Sequence, residues 1–196
     1  RVPAVVIVTM GFGTNIAARW KGVKEFYAMG LTDRLPRLIG VQPEGCSPIV
    51  AAFNQGQEKI TPVERPDTVC SAVAAGDPLD GPKALRAIRE SGGCALTSSD
   101  GEILEAQQLL ARLESIFVEP AGALPIAALQ PLLATARVQA DEVVVCLATG
   151  NGLKDPRSAL RVLPSPASIE SLPPLPLRMS LPASPFSVSS PSPAST

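Results

Sequence analysis

Apolar and polar positions alternate in two distinct rhythms along the chain. The run Pro3 to Met10, "PAVVIVTM", is short, continuous and β-branched. That pattern predicts a strand buried on both faces, as in a parallel sheet. Gly11 to Asn15 form a turn, and from Ile16 the spacing becomes helical, with Ile16, Trp20, Val23 and Tyr27 on one face. Gly30 is the expected stop of that helix. "RLIGVQ", Arg37 to Gln42, predicts the next strand, which completes a βαβ unit with a right-handed crossover.

Further helices are predicted over Ser47 to Asn54, Thr68 to Ala75 (ended by Gly76 and Pro78) and Lys83 to Ser91 (closed by Gly92 and Gly93). Cys94 to Thr97 is a short strand. Ser99, Asp100, Gly101 and Glu102 spell a capping box that opens a helix running to Glu114. A last helix is expected over Ala123 to Arg137, where Pro125 fits only in a first turn. "EVVVCLA", Glu142 to Ala148, is the last strand. Strands alternating with helices define an α/β class with a mainly parallel sheet flanked by helices. Beyond Arg161 the pattern dissolves. Residues 163–196 are rich in Pro and Ser, with only Glu170 and Arg178 charged, and read as a disordered tail beside a domain over 1–162.

Composition narrows the chemistry. Seventeen Lys plus Arg stand against 18 Asp plus Glu, so no basic nucleic-acid surface is expected. No uninterrupted apolar run reaches the roughly 18 residues of a membrane span; the nearest, Ala121 to Ala134, is broken by Pro125, Gln130 and Pro131. Histidine is absent, which removes histidine general bases, Ser-His-Asp triads and histidine-ligated metals. Cys46, Cys70, Cys94 and Cys146 form no C-x-x-C pair, so no zinc site is expected. They read as small apolar residues of a reduced, cytoplasmic protein. The first residue is Arg1 and no signal-peptide layout follows it, so the chain reads as the later part of something longer.

Three segments can carry chemistry. Gly11, Phe12, Gly13, Thr14 and Asn15 lie between a strand and a helix, where backbone amides and the helix dipole suit an anion. Thr14 and Asn15 add side-chain donors and can cap the helix. A tight turn that needs glycine for geometry alone explains the stretch equally well. The spacing is neither a Walker loop nor the dinucleotide fingerprint. "LATGNGLKDP", Leu147 to Pro156, follows the last strand and offers Thr149 at the ligand-binding edge of an open α/β sheet. "VEPAGA", Val118 to Ala123, sets Glu119 at a helix start.

These segments, with "NIAARWKGVKEFYAMGLTDRLPRLIGVQPEG", "ERPDTVCSAVAAGDP", "PKALRAIRESGG", "EILEAQQLLARLESIFVEPA" and "VVVCLATGNGLKDP", resemble the C-terminal half of the threonine synthase family. That family belongs to the pyridoxal-phosphate (PLP) enzymes of the tryptophan synthase β-like group, fold type II. The resemblance implies a PLP phosphate held by Gly11, Phe12, Gly13, Thr14 and Asn15, and a pyridine nitrogen facing Thr149. It implies conversion of O-phosphohomoserine and water to threonine and phosphate. The family's Schiff-base lysine lies well before the glycine loop, and no lysine here matches it. The expectation is therefore an incomplete fold lacking its N-terminal half, inactive alone, with homodimers common in the family. "EPAGA" also resembles serine/threonine dehydratase, and a noncatalytic interaction protein is the third reading. The family loop usually reads G-N-x-G-N, from which Phe12 and Thr14 depart. Ala74, Asp77 and Asn151 depart from the family's common Arg, Asn and His.

Overall fold

The β-branched run does form a strand, β1 (Val5–Thr9), at the centre of a four-stranded sheet. The computed structural model describes residues 2–161; the expected Pro/Ser-rich tail lies outside the described residues. β2 (Arg37–Pro43), β3 (Cys94–Ser98) and β4 (Val144–Cys146) complete the sheet in the order β3-β2-β1-β4. All three pairings are parallel, with Ile7 opposite both Ile39 and Cys146.

Period-two alternation sorts the strand residues onto two faces. Val5, Ile7, Ile39 and Val41 point to one core, and Val8, Met10 and Leu38 to the other. The second core is covered by α1 (Thr14–Ala28), α2 (Pro48–Asn54) and α3 (Gly81–Glu90), through Ile16, Trp20, Ile49, Leu85 and Ile88. The first is covered by α4 (Asp100–Glu114), α5 (Pro120–Ala127) and α6 (Leu129–Ala134), through Ile103, Leu110, Leu124 and Leu132. Burying each such Ile or Leu side chain contributes about 1.5–3 kcal/mol. α7 (Pro156–Leu160) opens on a proline, which needs no amide partner at a helix's first position.

Several elements differ from expectation. Residues 68–75 form no α-helix; only a single 3-10 turn occurs, at Ser71–Val73. Asp100 holds this segment open, accepting from the Thr68 hydroxyl at 2.6 Å and the Val69 amide at 2.9 Å. Tyr27 lies on the exposed side of α1, whose buried stripe ends at Trp20. β4 is shorter than the apolar run at 142–148. The helix expected over 123–137 starts earlier, at Pro120, and is divided at Ala128.

Pro125 lies inside α5, beyond its first turn. Its missing N–H leaves the Ala121 carbonyl without the usual helical donor. Thr9 at the end of β1 supplies one, its hydroxyl donating to the Ala121 carbonyl at 2.7 Å. Thr9→Val keeps the shape and removes that donor, so it is expected to cost about 1–3 kcal/mol in urea unfolding. An unchanged midpoint would show that the hydroxyl does not compensate the proline.

Across the amino end of the sheet, Arg37 reaches over β1 to Glu142, with both carboxylate oxygens 2.6 Å from one guanidinium nitrogen. The Gln139 amide and Arg37 together hold the Glu142 carboxyl below its ordinary value of 4.5. A carboxyl depressed by folding stabilises above its unfolded pKa, and that contribution fades as pH falls through the folded value. Stability is therefore expected to drop on acidification below about 4.5, and less steeply in Glu142→Gln. Urea midpoints at pH 7 and pH 3 for both chains test this.

Candidate functional site

The strand order reverses between β1 and β4: β2 and β3 extend the sheet on one side of β1, and β4 lies on the other. Such a switch point opens a crevice at the carboxyl ends of the two strands. The glycine loop leaves β1 there, and Thr149 follows β4. The Leu147 amide still donates to the Ile7 carbonyl at 3.1 Å, so the chain stays beside β1 until just before Thr149. Pairing of adjacent strands thus brings the two predicted segments, far apart in the sequence, to one edge.

Gly13 is the turning point of the loop. Its φ is +90°, a left-handed conformation that an L side chain resists, and a Cβ there would lie 2.8 Å from the Asp80 carbonyl oxygen. Gly13 also takes the N-cap position of α1, and no side chain caps that helix. The first amides of α1, from Thr14, Asn15 and Ile16, therefore lack a side-chain acceptor and carry the positive end of the helix dipole.

The sequence suggests Thr14 and Asn15 as caps or anion donors. The Thr14 hydroxyl donates to the Asp80 carboxylate at 2.6 Å, and no side chain caps α1. Asn15 is exposed at the second position of the helix. Phe12 is also exposed, and its carbonyl accepts from the Asp80 amide at 2.9 Å. Lys83 donates to Asp80 at 2.7 Å, and these contacts hold the Asp80 carboxyl below its usual range, Lys83 first and Thr14 second. The Asp80 carboxylate beside the loop thus opposes an anion, and Lys83 offsets it. A groove of about 350 Å³ flanks Thr14 and Asp80 between α1 and α3, walled by Lys21, Lys24, Lys83 and Arg86.

Thr149 is half-buried and is set by the start of α5 rather than by the glycine loop. Its neighbour Gly150, at φ +54°, leaves room for the Glu119 carboxylate where a side chain would otherwise stand. The Glu119 amide donates to the Gly150 carbonyl at 3.1 Å, and Val118 bridges to Asn151. Glu119 does not cap α5 with its side chain, as its place at the helix start suggests. It is 7% exposed and pairs with Lys154 at 3.5 Å. Sequence reasoning misses two roles, Asp80 behind the loop and Glu119 behind Gly150. The only sequence signal for Asp80 is its place before Gly81 and Pro82 at a helix start.

Burial disfavours the thiolate at each cysteine. Burial pushes the Cys70 thiol up to about 12 and Cys146 up to about 11, so both are neutral thiols near pH 7. Cys46 and Cys94 are raised for the same reason. Among the described residues no group of His, Cys, Asp and Glu is arranged to hold a metal.

The sequence family described as pyridoxal-phosphate dependent enzyme matches residues 1–150. The chain belongs to that family. Among its curated relatives, the threonine synthase of Methanocaldococcus jannaschii is 49% identical over 170 residues, covering 87% of this chain and 42% of that protein. The threonine synthase of Methanosarcina acetivorans is 46% identical over 171 residues, with the same two shares, 87% and 42%. The chain therefore spans less than half the length of these relatives. The crystal structure of T.th. threonine deaminase superposes with a TM-score of 0.59 at 27% identity, covering 76% of this chain and 50% of that one. The processed form of threonine deaminase isoform 2 from Solanum lycopersicum shares the fold, with a TM-score of 0.62 at 19% identity, covering 81% of this chain and 43% of that one.

As in other members of this PLP-dependent family, the cofactor is pyridoxal 5'-phosphate. The residues of this chain fit its phosphate. The α1 amides are uncapped, the left-handed Gly13 keeps side chains out of the turn, and the dipole of a 15-residue helix points at the loop. Thr149, an uncharged hydroxyl residue, follows the adjacent strand β4. No helix among the described residues is long and apolar enough to cross a membrane.

Proposed function

We propose that this chain is the carboxy-terminal, cofactor-holding part of a threonine synthase, an enzyme that converts O-phosphohomoserine and water to threonine and phosphate. The observation that carries the reading is the 49% identity to a threonine synthase over 170 residues. The family match over residues 1–150 includes both the glycine loop and Thr149. In this reading Gly11, Phe12, Gly13, Thr14 and Asn15 bind the PLP phosphate through the loop backbone and the start of α1. Thr149 would face the pyridine nitrogen, where a neutral hydroxyl would not force a proton onto it. PLP, when bound, acts as an electron sink that labilises protons on the substrate.

The chain's own residues bind and orient. Lys21, Lys24, Lys59, Lys83 and Lys154 do not match the position of the family's Schiff-base lysine. The lysine that carries the cofactor is assigned to an amino-terminal portion outside this chain. Phe12, Leu79 and Leu153, at 54, 83 and 77% exposed, support such a partner, because all three are large exposed apolar residues, Phe12 and Leu79 at the loop after β1 and Leu153 in the 3-10 turn after β4. A homodimer and a cytoplasmic location complete the proposal.

Phosphate release from O-phosphohomoserine tests it. The chain alone is expected to release none, and turnover is expected when the amino-terminal portion of the Methanocaldococcus jannaschii relative is supplied. Robust turnover by the chain alone would sink the reading. The likeness to T.th. threonine deaminase favours a second reading, a serine/threonine dehydratase part. Ammonia release from threonine by the completed enzyme, without phosphate release from O-phosphohomoserine, would select it.

A further inference from the structure

Asp80 lies 66 positions from Thr14 in the chain, yet it grips the glycine loop at three points. Its amide donates to the Phe12 carbonyl at 2.9 Å. Its carboxylate accepts from the Thr14 hydroxyl at 2.6 Å. Its own carbonyl packs against Gly13, which closes the turn from behind. Asp80 also occupies the N-cap position of α3, where an aspartate ordinarily accepts from the amides of its own helix. Here its side chain makes no such cap. It is turned instead towards the loop, and Lys83 from the first turn of α3 balances its charge at 2.7 Å.

We propose that Asp80 is a positioning residue that holds residues 12–14 in the shape that leaves the α1 amides facing outward to a phosphate. This rests on reading the loop as the PLP phosphate cradle. The role requires a hydrogen-bond acceptor at this position, not a negative charge. An amide oxygen accepts from Thr14 as a carboxylate does, and it removes a charge that opposes the anion. Asp80→Asn and Asp80→Ala should therefore part company. Loosening confined to the loop amides in Asp80→Ala and in Thr14→Val, with restoration by Asp80→Asn, is a pattern that a residue needed only for the stability of α3 does not give.

The test uses the full chain and two measurements. Amide hydrogen exchange is followed at Ala17, bonded to the Gly13 carbonyl, and at residue 80, bonded to Phe12, with β1 and β2 amides as the reference for global folding. PLP binding is followed by equilibrium dialysis, with inorganic phosphate as competitor. In Asp80→Ala, exchange at both amides is expected to rise about tenfold and PLP affinity to fall about tenfold, with the strand amides unchanged. In Asp80→Asn, exchange should stay at the parent level and affinity should equal or exceed the parent's. Thr14→Val, which removes only the hydroxyl donor, should raise exchange at Ala17, and it decides the matter if Asp80→Ala fails to fold. Unchanged exchange in Asp80→Ala, or in Thr14→Val where that variant is the arbiter, overturns the proposal. So does an Asp80→Asn chain that behaves like Asp80→Ala. A parent chain that binds no PLP counts against the cradle reading, while the exchange data still decide whether Asp80 holds the loop.

Discussion

Leu124→Ala is expected to lower the unfolding free energy by about 3 kcal/mol, within the range for a large aliphatic truncated in a packed core. Leu124 is fully buried in α5, in the cluster that joins Val5, Ile7, Ile39 and Val41 of the sheet to Ile103 and Leu110 of α4. Truncation removes transfer free energy and leaves a cavity that β1 and α4 can only partly close. Because α5 begins next to Gly150, the loss falls on the layer that supports Thr149. Urea unfolding at constant slope should report it as a lower midpoint. A loss below about 1 kcal/mol would mean that α5 is not packed into this core as described.

Gly13→Ala should have the second-largest effect, and it combines a structural and a functional loss. The left-handed backbone costs an alanine about 1–2 kcal/mol. The added Cβ also lies 2.8 Å from the Asp80 carbonyl oxygen and 3.1 Å from the Ala84 Cβ, so α3 or the loop must move. The expected total is about 2–3 kcal/mol of stability. If the loop holds the PLP phosphate, affinity should fall by more than about tenfold in chains still folded by circular dichroism. Full retention of affinity would leave Gly13 with a geometric role alone.

Much of this architecture is written in local pattern. The β-branched run at 5–9, the helical spacing from Ile16 and the Ser99–Glu102 capping box each depend on neighbours within a few residues. Both halves of that capping box form, with Ser99 and Glu102 each satisfying the other's amide. What the sequence hides depends on distant partners. Residues 68–75 carry helix-compatible side chains, but the Asp100 carboxylate fixes Thr68 and Val69 in another conformation. Pro125 reads as tolerable only in a first turn, yet Thr9 from β1 satisfies the carbonyl it strands.

The site divides in the same way. Gly13 is legible as a turn glycine next to a helix, and Thr149 as a hydroxyl after a strand. That both emerge at the reversal between β1 and β4 follows from sheet order, which no local window encodes. The Thr14 hydroxyl reads as a free donor, and its contact with Asp80, 66 positions away, is not visible in any local window. Glu119 reads as a helix-terminus carboxylate, whereas the space beside Gly150 and the ammonium of Lys154 hold it.

The central claim is that this chain holds the PLP phosphate but not the lysine that carries the cofactor. The most direct measurement is borohydride reduction of the chain with PLP, followed by peptide mapping by mass spectrometry, beside dialysis of the unreduced mixture. The account predicts noncovalent binding that inorganic phosphate competes away, and no lysine modified at one-to-one stoichiometry. One borohydride-stable adduct, at full occupancy on a single lysine of this chain, would contradict it.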